Sequence, residues 1–168
     1  MIAIRRATAS DAPSVAEVFL RSFRAAYPTI RSAHTDEQVR AWIRDEVVAR
    51  TECWVAVDRD GVVAMLSLTP GWIEHLYVAP DRLGEGIGQR MLDLAKEGAA
   101  GPLQLWTFEV NERARRFYGR NGFVEVERTD GAGNDEREPD VRLVWQPVAI
   151  RASSPGLRRV LMGPSEER

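Results

Sequence analysis

Hydrophobic and polar positions repeat with two different periods along this chain, and each period predicts one kind of element. Residues 2–6 alternate between apolar and polar side chains, which predicts a short strand. Between Val15 and Ala26 the apolar side chains recur at helical spacing, and Pro28 ends this first helix. A second helix is predicted to begin near Thr35, because Gln38 follows three residues later in the pattern of a capping box.

The period changes to two after these helices. Residues 53–57 and 62–68 both alternate, and the Asp-Gly pair that ends the turn between them predicts a hairpin. Residues 72–78 then form a third consecutive strand. An amphipathic helix is predicted over 86–98, directly after a loop that is rich in glycine.

The last part of the chain predicts a strand at 103–108, a helix capped by Asn111, and two strands at 123–127 and 141–145. The full order is strand, two helices, three antiparallel strands, helix, strand, helix and two strands. This order predicts an α/β (α+β) fold, in which helices flank a mixed, mostly antiparallel sheet of about six or seven strands.

Length and charge narrow the class of protein. A chain of 168 residues with 44% hydrophobic residues can form one domain with a real core, which we place at residues 1–146. The formal net charge of -2 gives no field suited to nucleic acid, and no apolar run approaches the length of a membrane span. We therefore expect a soluble, cytoplasmic protein without nucleic-acid or membrane partners. Residues 147–168 mix isolated apolar residues with Arg, Ser, Pro and Gly, which predicts a loosely docked or disordered tail.

The most informative stretch is the loop with Gly84, Gly86 and Gly88, which joins the strand at 72–78 to a helix. Glycines let the backbone approach a ligand closely, and the first N–H groups of a helix have no partner inside it. This stretch therefore predicts a site for an anionic, phosphorylated ligand. A P-loop is excluded, because Gln89 occupies the position of its second glycine and no lysine follows. A dinucleotide-binding fingerprint also needs glycine at that position, and it belongs to a parallel sheet.

Two blocks of sequence resemble a known family. The first runs from Leu76 to Gly88, LYVAPDRLGEGIG, and the second from Asn111 to Phe123, NERARRFYGRNGF. Together they resemble the GCN5-related N-acetyltransferases, whose loop reads Gln or Arg, Gly, any residue, Gly, any residue, Gly or Ala. That family's second block reads Asn, two residues, Ala, two residues, Phe-Tyr, three residues, Gly-Phe. The resemblance covers residues 1–146 and implies that family's fold.

This chain departs from the family's loop at Leu83, which replaces the Gln or Arg before the first glycine. The loop holds phosphate through backbone N–H groups. The loss of one side chain is therefore expected to weaken a phosphate contact rather than abolish binding. Arg82 or Arg90 could take the place of that side chain.

The resemblance implies acetyl-CoA as the co-substrate. Its pyrophosphate would lie against the N–H groups from Gly84 to Gln89. Its peptide-like pantetheine arm would pair with the strand edge at Leu76 to Val78, where a backbone N–H polarises the thioester carbonyl. No metal is expected. The residues expected to contact acetyl-CoA are Leu76, Tyr77, Val78, Gly84, Glu85, Gly86, Ile87, Gly88, Gln89, Asn111 and Tyr118.

Acetyl transfer to an amine needs one group that removes a proton from the amine and another that protonates the departing thiolate. The resemblance makes Tyr118 the acid, two helical turns after Asn111 on the same face. A core tyrosine and a simple helix cap are the alternative interpretations of these two residues. Glu74 is expected to be the base, since strand alternation places it on the same face as Leu76 and Val78, although a surface glutamate is the alternative. Other candidates for the base are His75, on the opposite face, Glu109 and Asp140.

The amine pocket is expected between the first two helices and the loop at 129–140. Carboxylates in this loop either attract a protonated amine or form a solvated run of charges. We expect an N-acetyltransferase that acts on a primary amine of a small molecule or a peptide, and a homodimer is left open. The alternatives are an acyl-CoA-binding module of the same fold without turnover, and a nucleotide-dependent oxidoreductase.

Overall fold

A computed structural model describes residues 1–148 and contains a seven-stranded sheet with helices on both faces. The strands are β1 (Ala3–Arg6), β2 (Glu52–Asp58), β3 (Gly61–Thr69), β4 (Trp72–Val78), β5 (Leu103–Phe108), β6 (Val124–Arg128) and β7 (Asp140–Trp145). The helices are α1 (Ala12–Ala26), α2 (Asp36–Trp42), α3 (Ile87–Glu97) and α4 (Glu112–Arg120). The predicted fold class and order of elements are confirmed. The tail predicted at 147–168 lies outside the described residues, apart from its first two.

The strands are ordered β1-β2-β3-β4-β5-β7-β6, and every neighbouring pair is antiparallel except β4 and β5. These two strands run parallel and pair at a single position, Trp72 with Gln104. Beyond that pair β5 continues along β7, whereas β4 remains paired with β3 alone. The sheet therefore opens between the ends of β4 and β5.

A β-bulge in β4 changes which face Glu74 occupies. In the ladder between β3 and β4, Ser67 pairs with His75 and Leu68 pairs with Ile73, so Glu74 is an extra residue without a partner. Ile73 consequently packs into the same core as Leu76 and Val78. The prediction that Glu74 shares a face with Leu76 and Val78 is wrong, because simple alternation does not hold across a bulge.

Two hydrophobic cores lie on opposite faces of the sheet. One lies beneath α3 and α4, and it contains the fully buried Met91 and Leu92 of α3. The other packs α1 and α2 against the sheet, around Val15 and Ile43. The second core also contains Cys53, and burial raises the pKa of its thiol to about 11, which keeps it protonated. No helix within residues 1–148 is both long and apolar enough to cross a membrane.

The capping box predicted at the start of α2 is present. The Gln38 N–H donates to the Thr35 hydroxyl at 3.2 Å, and the Thr35 N–H donates to the Gln38 side chain at 2.9 Å. At its other end α2 continues without a break into a π-helix, Ile43–Val48, which the sequence did not predict. Single-turn π-helical segments are frequent at functional sites, and Trp42 stands at this junction.

A second network holds the start of α1 against β1. Asp11 is mostly buried and accepts two hydrogen bonds from the Arg5 guanidinium, at 2.8 and 2.9 Å. The Thr8 N–H and hydroxyl also donate to this carboxylate. The bonds from Arg5, followed by those from Thr8, hold the pKa of Asp11 well below its usual range.

Asp11→Asn is expected to lower the free energy of unfolding by about 2 kcal/mol at neutral pH, because hydrogen bonds to a charged group are lost. The folded pKa of Asp11 lies below its unfolded value. The contribution of ionised Asp11 to the free energy of unfolding is therefore fully present above the unfolded pKa of about 4. It is lost as the pH falls from there toward the folded pKa. Urea unfolding at neutral pH and at about pH 3 should show the difference between the two proteins shrinking in acid.

The matched control is Asp60→Asn, in the exposed turn between β2 and β3. It should change the free energy of unfolding by less than about 0.5 kcal/mol at either pH. A stability difference for Asp11→Asn that is as large in acid as at neutral pH would contradict the assignment.

Candidate active site

A cleft of about 960 Å³ opens between the free edge of β4, α3 and α4, and we call it the glycine-loop cleft. Its lining includes Leu76, Tyr77, Val78, Gly84, Gly86, Ile87, Gly88, Gln89, Asn111 and Tyr118. These are all the residues predicted to contact acetyl-CoA except Glu85. The Glu85 carboxylate is turned to Arg82 instead, at 3.0 Å.

Backbone N–H groups at the start of α3 lie on this cleft. Gly86 caps the helix with a φ of 77°, a left-handed conformation that favours glycine. The first helical hydrogen bond runs from the Arg90 N–H to the Gly86 carbonyl at 3.1 Å. The N–H groups of Ile87, Gly88 and Gln89 therefore have no partner inside the helix, and the helix dipole adds positive potential there. Unpaired N–H groups in this arrangement are suited to binding an anion.

The edge of β4 offers further backbone groups to the cleft. The Ala79 N–H donates to the Val63 carbonyl of β3 at 2.8 Å, and the Ser22 hydroxyl of α1 donates to the Val78 carbonyl at 2.9 Å. Successive residues of a strand direct their N–H and C=O groups to opposite edges. Leu76 and Val78 therefore direct theirs away from β3 and toward the opening that β5 leaves.

Leu83 stands where the family has Gln or Arg before the first glycine of the loop. It is 41% exposed and lines the cleft. Arg82 does not replace that side chain freely, because its guanidinium is bonded to Glu85 and Asp58. Arg90 donates to a backbone carbonyl at the start of the chain at 3.2 Å. Both arginines proposed as substitutes already have protein partners.

Positive charge reaches the cleft from α4 instead. Arg113, Arg116 and Arg120 all line it, at a spacing of three and four residues that places them on one side of the helix. Arg116 pairs with Glu112, whereas Arg113 and Arg120 have no carboxylate partner within residues 1–148. We had not assigned these residues from the sequence, although their helical spacing was a usable signal.

Tyr118 and Asn111 occupy the α4 wall of the cleft. Tyr118 is 7% exposed, and its hydroxyl makes no hydrogen bond with the part of the chain that the structure describes. Burial, together with the nearby Tyr27, raises the pKa of Tyr118, so that its phenol stays protonated at neutral pH. Asn111 caps α4 by accepting from the Ala114 N–H at 3.0 Å, and its amide also donates to the Tyr27 hydroxyl at 2.8 Å.

A second cavity of about 720 Å³ lies between α1, α2, β4, β5 and the loop at 129–140. We call it the aromatic pocket, because its walls include Phe19, Phe23, Tyr27, Trp42, Tyr77 and Phe108. The Phe19 ring meets Trp42 at 5.5 Å and Tyr77 at 5.1 Å, both edge to face. The two helices and the loop that we expected to border an amine pocket all line this cavity.

The candidate bases differ in their surroundings. Glu74 and His75 both line the aromatic pocket, Glu74 as an exposed carboxylate. His75 lies 2.9 Å from the Ser67 hydroxyl, and burial lowers the pKa of His75 to about 4, which leaves its imidazole neutral. Asp140 lines the same pocket, whereas Glu109 lines neither cavity.

The two cavities meet at Tyr77, which lines both of them. Burial raises the pKa of Tyr77, and the phenols of Tyr27 and Tyr118 add to the increase, so the three tyrosines lie close together. Asn111 on the wall of the cleft also contacts Tyr27 on the wall of the pocket. The junction is thus surrounded by protonated phenols.

Comparison with known proteins identifies the family to which this arrangement belongs. A family model described as an acetyltransferase (GNAT) domain matches residues 49–125. An uncharacterized N-acetyltransferase of Archaeoglobus fulgidus is 30% identical over 150 residues, covering 79% of this chain and 99% of the relative. This chain belongs to the GCN5-related N-acetyltransferase family. It is an acyl-CoA-dependent N-acyltransferase, and acetyl-CoA is its co-substrate.

Two further proteins are similar to this N-acetyltransferase over most of their length. The peptidyl-lysine N-acetyltransferase YiaC of Escherichia coli is 26% identical over 146 residues, covering 86% of this chain and 97% of the relative. The solution structure of apo-form YjaB from Escherichia coli superposes with a TM-score of 0.73 at 25% identity. That match covers 86% of this chain and 97% of YjaB.

Tyr27, Trp42 and Phe108 are candidate site residues of this N-acetyltransferase that the sequence did not predict. They come from α1, α2 and β5, and each lines the aromatic pocket. Tyr27 and Trp42 stand where their helices end, Tyr27 directly before Pro28. The end of the first helix at Pro28 is therefore a signal that could have found Tyr27, whereas Trp42 has no such signal because its helix continues into the π-helix.

Gly86→Ala is expected to weaken acetyl-CoA binding about tenfold. A left-handed conformation costs a residue with a side chain about 1–2 kcal/mol, so the loop should relax and turn the N–H groups of Ile87 and Gly88 away from the cleft. Isothermal titration calorimetry with acetyl-CoA would measure the change. Gly101→Ala is the control, since no atom lies within 4 Å of its added carbon. Equal affinity for the two variants would show that the cap conformation is unimportant for binding.

Proposed function

We propose that this N-acetyltransferase binds acetyl-CoA in the glycine-loop cleft and its acceptor amine in the aromatic pocket, with acetyl transfer beside Tyr77. One observation carries this proposal: Tyr77 lines both cavities, so a thioester in one and an amine in the other can meet there. The free N–H groups at the start of α3 support the position of the pyrophosphate. Arg113 and Arg120 support it with positive charge.

The edge of β4 would orient the acetyl donor. Pantetheine contains amides that can hydrogen-bond to the backbone of Leu76 and Val78, as an added strand would. One of these N–H groups would then also donate to the thioester oxygen, which becomes negative as the amine attacks. A rigid strand suits this task, because the donor is already in position before charge develops.

The reaction requires three proton transfers: two protons leave the nitrogen, one reaches the sulfur, and one is released in the balance. The ammonium group of the acceptor first loses a proton, and its nitrogen then attacks the thioester carbon. The carbon–sulfur bond breaks, the nitrogen loses a second proton, and the thiolate gains one to become free CoA. Tyr118 would supply the proton to sulfur, since its buried phenol is protonated and lacks another hydrogen-bond partner within residues 1–148.

Glu74 is our choice for the base. The bulge in β4 turns it toward the aromatic pocket, where an amine would lie, and only the Thr69 hydroxyl donates to it within the described chain. An exposed carboxylate can pass the proton on to water. His75 lines the same pocket, but an imidazole with a pKa of about 4 has little tendency to hold a proton at neutral pH.

The acceptor class follows from the pocket and from the relatives. YiaC is named a peptidyl-lysine N-acetyltransferase, which supports the side chain of a lysine as one acceptor. The aromatic pocket is open enough for such a side chain and equally for a free small amine. We propose a primary amine of either source as the acceptor.

Two predictions from the sequence concern the protein in its surroundings, and both remain predictions. A cytoplasmic location is the first. A homodimer is the second, and the exposed edge strand β6 supports it, since Val124 is 64% and Val126 is 53% exposed there. Edge strands with exposed apolar residues are suited to pairing with another chain.

Tyr118→Phe is expected to lower kcat about a hundredfold, because the acid that protonates the thiolate is lost. Thiol release from acetyl-CoA would be followed with a panel of primary amines and lysine peptides. Acetyl-CoA affinity serves as the internal control and should change little, since phenylalanine keeps the ring that lines the cleft and removes only the hydroxyl. Thiol release by wild type with none of the amines would contradict the proposed function, and an unchanged kcat in the variant would contradict the role of Tyr118.

Glu74→Gln is expected to lower kcat/KM for the amine about a hundredfold, because the amide cannot take the proton of the ammonium group. The matched control is Glu97→Gln, at the end of α3 and outside both cavities. If Glu74→Gln retains wild-type activity while His75→Asn loses it, the base is His75.

A further inference from the structure

The aromatic pocket contains several carboxylates, and all but one of them have protein partners. Arg24 binds Asp36, His34 lies 3.0 Å from Asp135, the Thr69 hydroxyl donates to Glu74, and Thr129 and Asn134 donate to Asp140. The exception is Glu136. Within residues 1–148 its carboxylate makes no hydrogen bond and no ion pair, although the residue is partly buried in the wall of the pocket.

The loop that carries Glu136 is held rigidly. The Asn134 side chain donates to the Glu138 carbonyl at 2.8 Å and accepts from the Glu138 N–H at 3.2 Å. Arg137, which directly follows Glu136, has a φ of 57°. This is the only left-handed conformation of a residue other than glycine in the described chain. Gly131 is packed so closely against Glu138 that an added carbon would lie 2.4 Å from its backbone. Glu136 thus lies at a defined place on the pocket wall.

Glu136 also lies near the junction of the two cavities. Burial is the main cause of the raised pKa of Tyr77, followed by Tyr27 and Tyr118, and the charge of Glu136 adds to it. Glu136 and Tyr77 line the same pocket, and Tyr77 also lines the glycine-loop cleft, so Glu136 shares a cavity with the proposed place of transfer.

The aromatic rings favour the same kind of ligand as an unpaired carboxylate. Phe19, Tyr27 and Trp42 line the pocket, and aromatic rings of this kind attract a cation at their faces and pack against an alkyl stem. Arg24, the arginine among the described residues that line the pocket, donates to Asp36 at 2.7 Å. A carboxylate on the acceptor would therefore find no free positive partner among the described residues that line the pocket.

We propose that Glu136 binds the protonated acceptor amine, and that it thereby selects primary alkylammonium groups that have no neighbouring carboxylate. Both a lysine side chain within a peptide and a small free amine have this chemistry. This inference rests on the proposed function, since it assigns a specificity-determining residue to the same pocket. The proton transfers described above are unchanged by it, because Glu136 holds the ammonium group before the base removes its proton.

The test compares Glu136→Gln with Glu138→Gln, which removes the same charge from the same loop at a residue that does not line the pocket. Steady-state kinetics at saturating acetyl-CoA would use three probes: Nα-acetyl-lysine methylamide, phenethylamine and phenylalanine. The first two separate a lysine source from a small amine, and the last two differ by one carboxylate. Thermal unfolding and acetyl-CoA affinity of both variants show that they fold.

Wild type is expected to use phenethylamine at least about tenfold more efficiently than phenylalanine. In Glu136→Gln the KM for the accepted amines should rise about tenfold, with kcat and acetyl-CoA affinity nearly unchanged. The ratio of kcat/KM for phenethylamine to that for phenylalanine should become smaller than in wild type. Glu138→Gln should behave as wild type. Equal KM values for the two variants, with wild-type turnover intact, would overturn this inference alone, whereas no turnover of any amine by wild type would overturn the proposed function as well.

Discussion

The short contact between β4 and β5 is the constraint on which the site depends. The strands pair only at Trp72 and Gln104, and β5 then follows β7. Because β5 separates from β4, backbone N–H and C=O groups of β4 have no hydrogen-bond partner on a neighbouring strand. Backbone groups that are buried need a different hydrogen-bond partner. The Val78 carbonyl obtains it from Ser22 of α1. The remaining N–H groups face the cleft, so the same break in the sheet creates both the cleft in which we propose that acetyl-CoA binds and the donors that would hold it.

Helix α1 divides the space that this break creates. Ser22 lies on the glycine-loop cleft, whereas Phe19 and Phe23, three residues before it and one after it, lie on the aromatic pocket. Burial near the junction controls where protons reside. It raises the pKa of the tyrosine phenols and lowers that of His75, whereas the carboxylates that line the pocket are partly buried or exposed. In the proposed arrangement, protonated phenols would lie beside the thioester and carboxylates beside the amine, which is the separation that acyl transfer requires.

Much of this arrangement was predictable because it depends on neighbours in the chain. The capping box at Thr35, the hairpin turn and the glycine loop all formed as expected. Predictions were less successful where packing overrides local pattern. The bulge at Glu74 depends on how the residues of β3 pair with those of β4. The sequence of β4 alone does not contain this information. The sequence makes Arg82 a candidate for phosphate, but in the fold its guanidinium contacts Asp58 at the end of β2.

The sequence by itself determined the order of elements, the anion cradle at Gly84 to Gly88 and the family, because each is written in local periods and motifs. Only the tertiary structure decided what surrounds the amine. The bond between Asn111 and Tyr27 spans 84 residues, and the contact between His34 and Asp135 spans 101. Whether a carboxylate such as Glu136 has a hydrogen-bond or ion-pair partner depends on contacts between residues that are far apart in the sequence. Such contacts exist only once the chain has folded.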